Sequence, residues 1–394
     1  MQFHMGINRK SFCFCMLICL MLAGTAKGQI NIGGLADFEL RKGGGDSDPT
    51  VNQTPNDKFL IYAPSIRLFI NAPISEKWFV SGALQSDYYT GSRSEIFFSS
   101  FNINWLAAEN VKITAGRFTT PFGRTDELLL SSNNPFVHLP LSHVWNMPVN
   151  QRRGYFFGES SYDGVPGQSL IYRRMYSQGL KLTGATDDER FQYEVAATLT
   201  GVSSYTDVGE QNLPAFIGRL EVQPVIWNTI GVSFARGSYL IEDPINDVLS
   251  DEERAGYQQT VVSAHTEFSY SYYQLLFQYT FNRWDSPWID PDGQLIQEHL
   301  DNDVAHYLAK FKMRFPFLVG GYGAIRYERY IPKELTLDPL NITGKPTPDK
   351  DRFEFVFGYK LNRNILLKAS YLLSKNKGRE LKDDVIAIQL SASF

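Results

Sequence analysis

Cysteine is confined to the first twenty residues. Cys13, Cys15 and Cys19 are the only three in 394, so the rest of the chain can form neither disulfides nor thiolate metal sites. Catalytic signatures are equally scarce. No Walker or Rossmann glycine pattern stands in a strand-to-helix context. Asp290, Asp292 and Gly293 resemble part of a calcium loop, but Trp288 occupies its first ligand position and His299 its last, which suits an acidic turn better. His265 stands two residues from both Ser263 and Glu267, yet neighbours at that spacing along a strand lie about 7 Å apart, too far for a nucleophile and its base at about 3 Å. The expectation is therefore no enzyme, no cofactor and no metal. Acidic side chains outnumber basic ones, 42 to 38, which leaves no global basic footprint for nucleic acid.

Long apolar runs are also missing, with one exception. Ser11 to Gly24 is unbroken and follows Asn8, Arg9 and Lys10, the layout of a secretory signal peptide. It is shorter than the roughly 20 residues needed to span a bilayer as a helix. Ala26, Lys27 and Gly28 supply a small-x-small cleavage site, so residues 1–28 are expected to leave and Gln29 to become the first residue. A lipid anchor at Cys19 is disfavoured by Ile18, where a small residue is needed. Loss of Arg9, Lys10 and Lys27 takes the 38 basic residues to 35 against 42 acidic, a net charge of −7. No later segment is apolar enough for a helical span, so an exported chain that enters a membrane must do so with strands.

What is present, from Gln29 to Phe394, is alternation with period two in runs of about ten residues. In Arg352 to Leu361, Phe353, Phe355, Phe357, Tyr359 and Leu361 share one face. Ala305, Tyr307, Ala309, Phe311 and Met313 oppose His306, Lys310, Lys312 and Arg314, and Leu275, Phe277, Tyr279 and Phe281 oppose Gln274, Gln278, Thr280 and Asn282. A soluble sandwich would alternate similarly, but these runs exceed its usual five or six residues and match the roughly 9 to 11 of a tilted transmembrane strand. Aromatics crowd the run ends, at Trp78, Tyr88, Tyr89, Trp105, Trp227, Tyr239, Trp284, Tyr327 and Tyr330, as interfacial girdles do. The last run places Ile386, Ile388, Leu390, Ala392 and Phe394 on one face and resembles the terminal signal read by the barrel-assembly machinery of outer membranes.

The class expected is all-β, a transmembrane antiparallel β-barrel in one domain over 29–394. Sixteen strands are expected near 31–41, 58–71, 76–89, 94–105, 110–119, 176–185, 190–201, 214–223, 228–240, 257–269, 272–284, 303–315, 318–330, 351–361, 364–374 and 384–394. Eighteen is the alternative, if 155–158 and 169–176 add a pair. Tight turns at Pro73, 187–189, Pro224, Pro316 and 362–364 alternate with loops at 42–57, 202–213, 241–256, 285–302 and 331–350, which is the outer-membrane barrel plan. Sixteen strands leave room for an aqueous lumen.

The connection 120–175 is far longer than the others, and long loops are usually functional. It carries Arg124, Asp126, Glu127, Arg152, Arg153, His138 and His143, with Leu128, Leu129, Leu130, Phe136, Leu139 and Trp145 as apolar anchors. The stretch Ala115-Gly116-Arg117-Phe118-Thr119-Thr120-Pro121-Phe122-Gly123 resembles the G-x-F-x-x-P-F-G element of the phosphate-selective porin family (O/P type) and its Bacteroidetes-like relatives. That resemblance implies a sixteen-stranded homotrimeric barrel in outer-membrane lipid, whose long loop after the fifth strand folds inward and narrows a channel for small hydrophilic solutes. Phosphate selectivity is not carried over, because the mature chain is acidic. A non-conducting structural, secretion-associated or adhesive barrel is the alternative, and an outer-membrane hydrolase a third class.

If the aromatic face meets lipid, the opposite parity lines the lumen with Asp37, Glu39, Asp87, Arg219, Glu221, His265, Glu267, His306, Lys310, Lys312, Arg314, Arg326, Glu328, Arg352, Glu354, Lys360 and Lys368. Strand five faces strand thirteen in such a ring. The candidate constriction therefore sets Asp126 and Glu127, with Arg124, Arg152 and Arg153, against Lys310, Lys312, Arg314, Arg326 and Arg352, giving a transverse field that orients polar solutes. Arg117 shares the apolar parity of Val111, Ile113 and Ala115, so it needs either a bulge at Gly116 or an interfacial position. Deleting Phe394 should impair insertion; normal outer-membrane levels of the truncated chain would contradict its role as the assembly signal.

Overall fold

The computed structural model describes residues 30–394 except 48, 53, 55–56, 88–94, 157–160, 163–164, 200, 204–213, 242–247, 291 and 379–381. The leader, its cleavage site, Tyr88 and Tyr89 lie outside the described residues, as does the side chain of Asp87. Sixteen strands among the described residues form one closed antiparallel barrel. They are β1 Asn31–Gly43, β2 Phe59–Pro73, β3 Trp78–Asp87, β4 Glu95–Ala108, β5 Val111–Thr119, β6 Tyr176–Ala185, β7 Phe191–Thr198 and β8 Ala215–Val225, followed by β9 Asn228–Ser238, β10 Gln258–Tyr270, β11 Tyr273–Ile289, β12 Leu295–Arg314, β13 Gly321–Pro332, β14 Lys350–Asn362, β15 Ile365–Asn376 and β16 Val385–Ser393.

Each strand pairs with its sequence neighbours, and β1 pairs with both β2 and β16, the latter from Leu35 opposite Ser393 to Gly43 opposite Val385. Closure leaves no strand edge unpaired, which hydrocarbon requires because it offers no hydrogen-bond partners of its own. At the seam Gly34 exchanges both backbone hydrogen bonds with Phe394, each 3.1 Å. A β-carbon at Gly34 would strike the Phe394 ring, so the terminal ring needs a glycine beneath it.

The pleat sorts side chains as the alternation implies. Along β14, Phe353, Phe355 and Phe357 face outward and are exposed, while Arg352, Glu354 and Val356 point in and are buried. The turn-end aromatics Trp78 and Trp105 stack at 5.8 Å, and Trp227 stacks on Phe268 at 6.1 Å. Three of the expected girdle residues are not in the girdle. Tyr239, Trp284 and Tyr330 are fully buried inside the barrel, because they carry inward parity and meet an apolar cluster there.

Two further expectations are revised. Residues 285–302 are mostly strand: β11 and β12 stay paired out to Ile289 and Leu295, with register shifts absorbing Pro287, so only a tight turn remains, in which Gly293 adopts φ +80°. The eighteen-strand alternative also falls. The additional strands in the barrel sheet are the two-residue pieces Val149–Asn150 and Gly154–Tyr155, and Gly154 pairs with Trp288 at the top of β11; they lie in the long loop and span nothing. At Gly116 the register with β4 and β6 runs through unbroken. Arg117 therefore keeps its outward parity, and its guanidinium lies 6.0 Å from the centre of the Tyr176 ring.

Placing arginine at Phe355, mid-strand on the lipid face, should destabilise the barrel by about 2–4 kcal/mol, and at Tyr273, at a strand end, by about 0–1 kcal/mol. Reversible unfolding in lipid vesicles measures both. Equal costs at the two positions would contradict the outward, depth-graded placement.

Candidate functional site

The long loop enters the barrel because of its first turn. Thr120, Phe122 and Thr125 are buried, and the Thr125 hydroxyl donates to the carbonyls of Thr120 and Phe122, both at 2.8 Å. Gly123 sits at φ +57°, a left-handed conformation that favours glycine. Its N–H donates to Ser233 Oγ at 2.9 Å and its carbonyl accepts from Arg219 at 2.9 Å. The P-F-G element thus turns the chain away from the rim and pins it on β8 and β9.

From there a short helix, Thr125–Leu129, crosses the lumen. Asp126 pairs with Arg219 at 3.0 Å, Glu127 with Lys310 at 2.6 Å, and Arg124 with Glu267 at 2.9 Å. Burial would raise the Glu127 pKa, but the charges of Lys310 and Arg124 outweigh it and hold the carboxyl below its ordinary range. At the far end of the helix, Arg67 on β2 donates to the Leu129 carbonyl.

The chain then doubles back along the β13–β15 wall, and its backbone supplies most of the contacts. Lys368 donates to the carbonyls of Ser131, Asn134 and Phe136 at 2.7, 2.9 and 3.2 Å. Arg326 donates to that of His138 at 2.9 Å, and Arg352 to that of Leu139. In the other direction Glu354 accepts from the N–H groups of Val137 and His138 at 3.1 and 3.2 Å, and Glu328 from that of Leu141 at 2.6 Å. The wall charges also pair among themselves: Arg352 with Glu328 at 2.8 Å, Arg326 with Glu354 at 2.7 Å, and His138 Nδ1 with Glu354 at 2.9 Å. Ions taken out of water are tolerated only when paired and hydrogen-bonded in this way. Farther along, Phe122, Leu141, Met147 and Leu170 are fully buried in one cluster with Trp284 and Tyr330.

The inward loop and its contact with β13 match expectation; the charge pattern differs. Lys310 meets Glu127, and Lys312 lies nearby with its ammonium 5.0 Å from the centre of the Tyr322 ring. Arg326 and Arg352 do not face Asp126 and Glu127; acids on β13 and β14 engage them, because Glu328 and Glu354 stand directly across the strand pairs. Arg314 lies outside the group, exposed at the short-turn rim and bonded to the Ser271 carbonyl at 2.7 Å, and Lys360 is likewise exposed by its turn. Arg152 is exposed, and Arg153 reaches the Asp290 carbonyl at 3.1 Å, both near the top of β11. Strand parity gave Arg314 and Lys360 a face but carried no height along the barrel axis.

Sequence reasoning also passed over Arg67, Arg173 and Arg174. These line a cavity of about 120 Å³ between the loop and β1–β3. The available signals were a single arginine in the otherwise apolar run of β2 and an arginine doublet just before β6.

A closed sixteen-stranded barrel with an apolar exterior and an inward loop after the fifth strand defines the architecture of the outer-membrane porins. No family model and no curated protein sequence matches the chain. Among solved structures it is similar to the outer membrane channel DcaP of Acinetobacter baumannii, at 13% identity over 93% of this chain and 97% of that one, with a TM-score of 0.58. The anion-selective porin from Comamonas acidovorans matches at 8% identity over 93% and 100%, with a TM-score of 0.59. OmpT of Vibrio cholerae in its trimer form matches at 11% over 93% and 99%, with a TM-score of 0.55. At these identities the likeness is one of fold.

His143 gives the docked loop a pH dependence. Burial, then the nearby His306, holds its pKa down to about 3 against an ordinary 6.5. The docked loop keeps this ring neutral, so its stability is complete above pH 6.5 and is lost as pH falls from there toward 3, by up to about 1.4 kcal/mol per unit. Amide-exchange protection over 138–147, corrected for intrinsic rates, should fall between pH 7 and pH 5, and less so in His143→Gln. Constant protection in the unaltered protein would exclude a buried neutral His143.

Proposed function

We propose that the chain is a porin, a passive and non-enzymatic channel for small hydrophilic solutes and ions across the outer membrane. The observation that carries this reading is the combination of a closed lipid-facing barrel with a long loop folded inside it and fastened to the wall by buried charges. A barrel of sixteen strands is wide enough to hold water. A loop anchored at β2, β8, β12 and β13–β15 narrows that width. The Ser11–Gly24 run supports export after cleavage of residues 1–28, and the apolar terminal strand with Phe394 supports insertion by the barrel-assembly machinery. A homotrimer is supported by the fold shared with the trimeric Vibrio protein.

The purified barrel in a planar bilayer should give ohmic conductance steps, with three per insertion event for a trimer. A silent bilayer with correctly folded, inserted protein would contradict the porin reading and favour a structural or adhesive barrel.

A further inference from the structure

Inner positions of β5–β8 lie in register across the wall. Lys112 stands opposite Thr183, Thr183 opposite Glu194, and Glu194 opposite Arg219. In the next inner row toward the short turns, Gln192 stands opposite Glu221. These residues, with Glu109 and Asn110 in the turn before β5 and Glu189 in the turn before β7, line a cavity of about 270 Å³. Small-molecule sites begin at about 300 Å³, so the space suits a solute of amino-acid size.

We propose that this cavity binds small solutes with a carboxylate at one end and a cation at the other, as arginine has. The inference rests on the porin reading and adds a substrate class to it.

The centre of the row is already neutralised. Glu194 binds Lys181 at 3.0 Å and Arg219 at 2.5 Å, and Arg219 also holds Asp126 of the loop helix at 3.0 Å. The uncommitted groups stand to either side. On the β5 side, the Lys112 ammonium has no ion pair or hydrogen bond among the described residues, and the neighbouring Thr183 Oγ1 is buried without a hydrogen-bond partner. On the β7–β8 side, the Glu189 carboxylate is exposed and has no cation paired with it among the described residues. Glu221 meets the His265 ring, with Nε2 at 3.3 Å. The backbones of β5 and β8 are three strand spacings apart, about 14 Å, and the side chains reach inward from both sides.

A simple cation in this space meets Lys112, and a simple anion meets Glu109, Glu189 and Glu221, so each is repelled by part of the lining. A solute with opposite ends is attracted at both. Its carboxylate takes the Lys112 ammonium and the Thr183 hydroxyl. A guanidinium at its other end presents a planar fork that matches a carboxylate of Glu189 or Glu221.

The test uses the purified barrel in planar bilayers in potassium chloride of about 0.1 M, where screening is weak. L-Arginine at millimolar concentration should interrupt the current with brief blockades. Arginine methyl ester lacks the carboxylate, and glutamate lacks the distal cation. Each should need about ten times the concentration for the same effect, which is the loss of one charge-assisted hydrogen bond. In Lys112→Gln, arginine should fall to the level of its methyl ester while the ester is no weaker than before. The pair Glu189→Gln and Glu221→Gln should weaken arginine but not glutamate. A conducting channel on which the three probes act alike, or one in which Lys112→Gln leaves the arginine blockade unchanged, overturns the proposal and leaves the porin reading standing. A channel that does not conduct at all removes the porin reading, and this inference with it.

Discussion

Pairing of backbone polar groups within the membrane is the constraint on which the rest of this structure depends. Lipid offers no partner to an N–H or a carbonyl, so β1 must meet β16, and the sheet must be a ring. Once closed, the ring converts a period-two sequence into two separate environments. The outer face needs only apolar bulk, which Phe, Tyr, Ile and Val supply in quantity. The inner face is free to carry charge, because it abuts water and the folded loop.

The loop shows what that inner charge does in this chain. Arginine, lysine and glutamate on β13–β15 hold an irregular backbone that would otherwise be buried without partners. Irregular backbone at membrane depth is tolerated where it is buried in protein or lines a cavity, and the Ser131–Leu141 segment meets that condition by bonding its carbonyls and N–H groups to ionised side chains. Charges that parity alone would assign to the pore are in this way consumed by architecture. Arg67, Arg173 and Arg174 line the cavity between the loop and β1–β3.

How much of this could be read from the sequence follows from which properties are periodic. Strand number, strand order and the inner or outer face of nearly every residue follow from alternation and turn residues, whereas the inward course of the long loop after β5 is implied by the porin resemblance. Height and partner choice are not periodic. Arg314 and Lys360 have lumenal parity yet stand at the rim. Trp284 and Tyr330 look like girdle aromatics until the loop packs against them. Asp126 meets Arg219 rather than the β13 wall, because the left-handed turn at Gly123 anchors the helix on β8 and β9 before it crosses. A turn geometry of that kind is set by one glycine and one serine hydroxyl more than a hundred positions apart, and no local pattern announces it.

The seam between β1 and β16 has a consequence in time. Its hydrogen bonds join Gly34 to Phe394, almost the full length of the chain, so this contact carries the largest loop-closure entropy of any in the barrel. Every other strand pair joins sequence neighbours, and all but β5–β6, which the long loop separates, can zip as short hairpins in sequence order. The ring is therefore completed last, and the interval before it is the stage at which two free edges, β1 and β16, are open to pairing with other chains. The glycine at position 34 leaves room for the terminal phenylalanine ring at this last joint, where a β-carbon would collide with it.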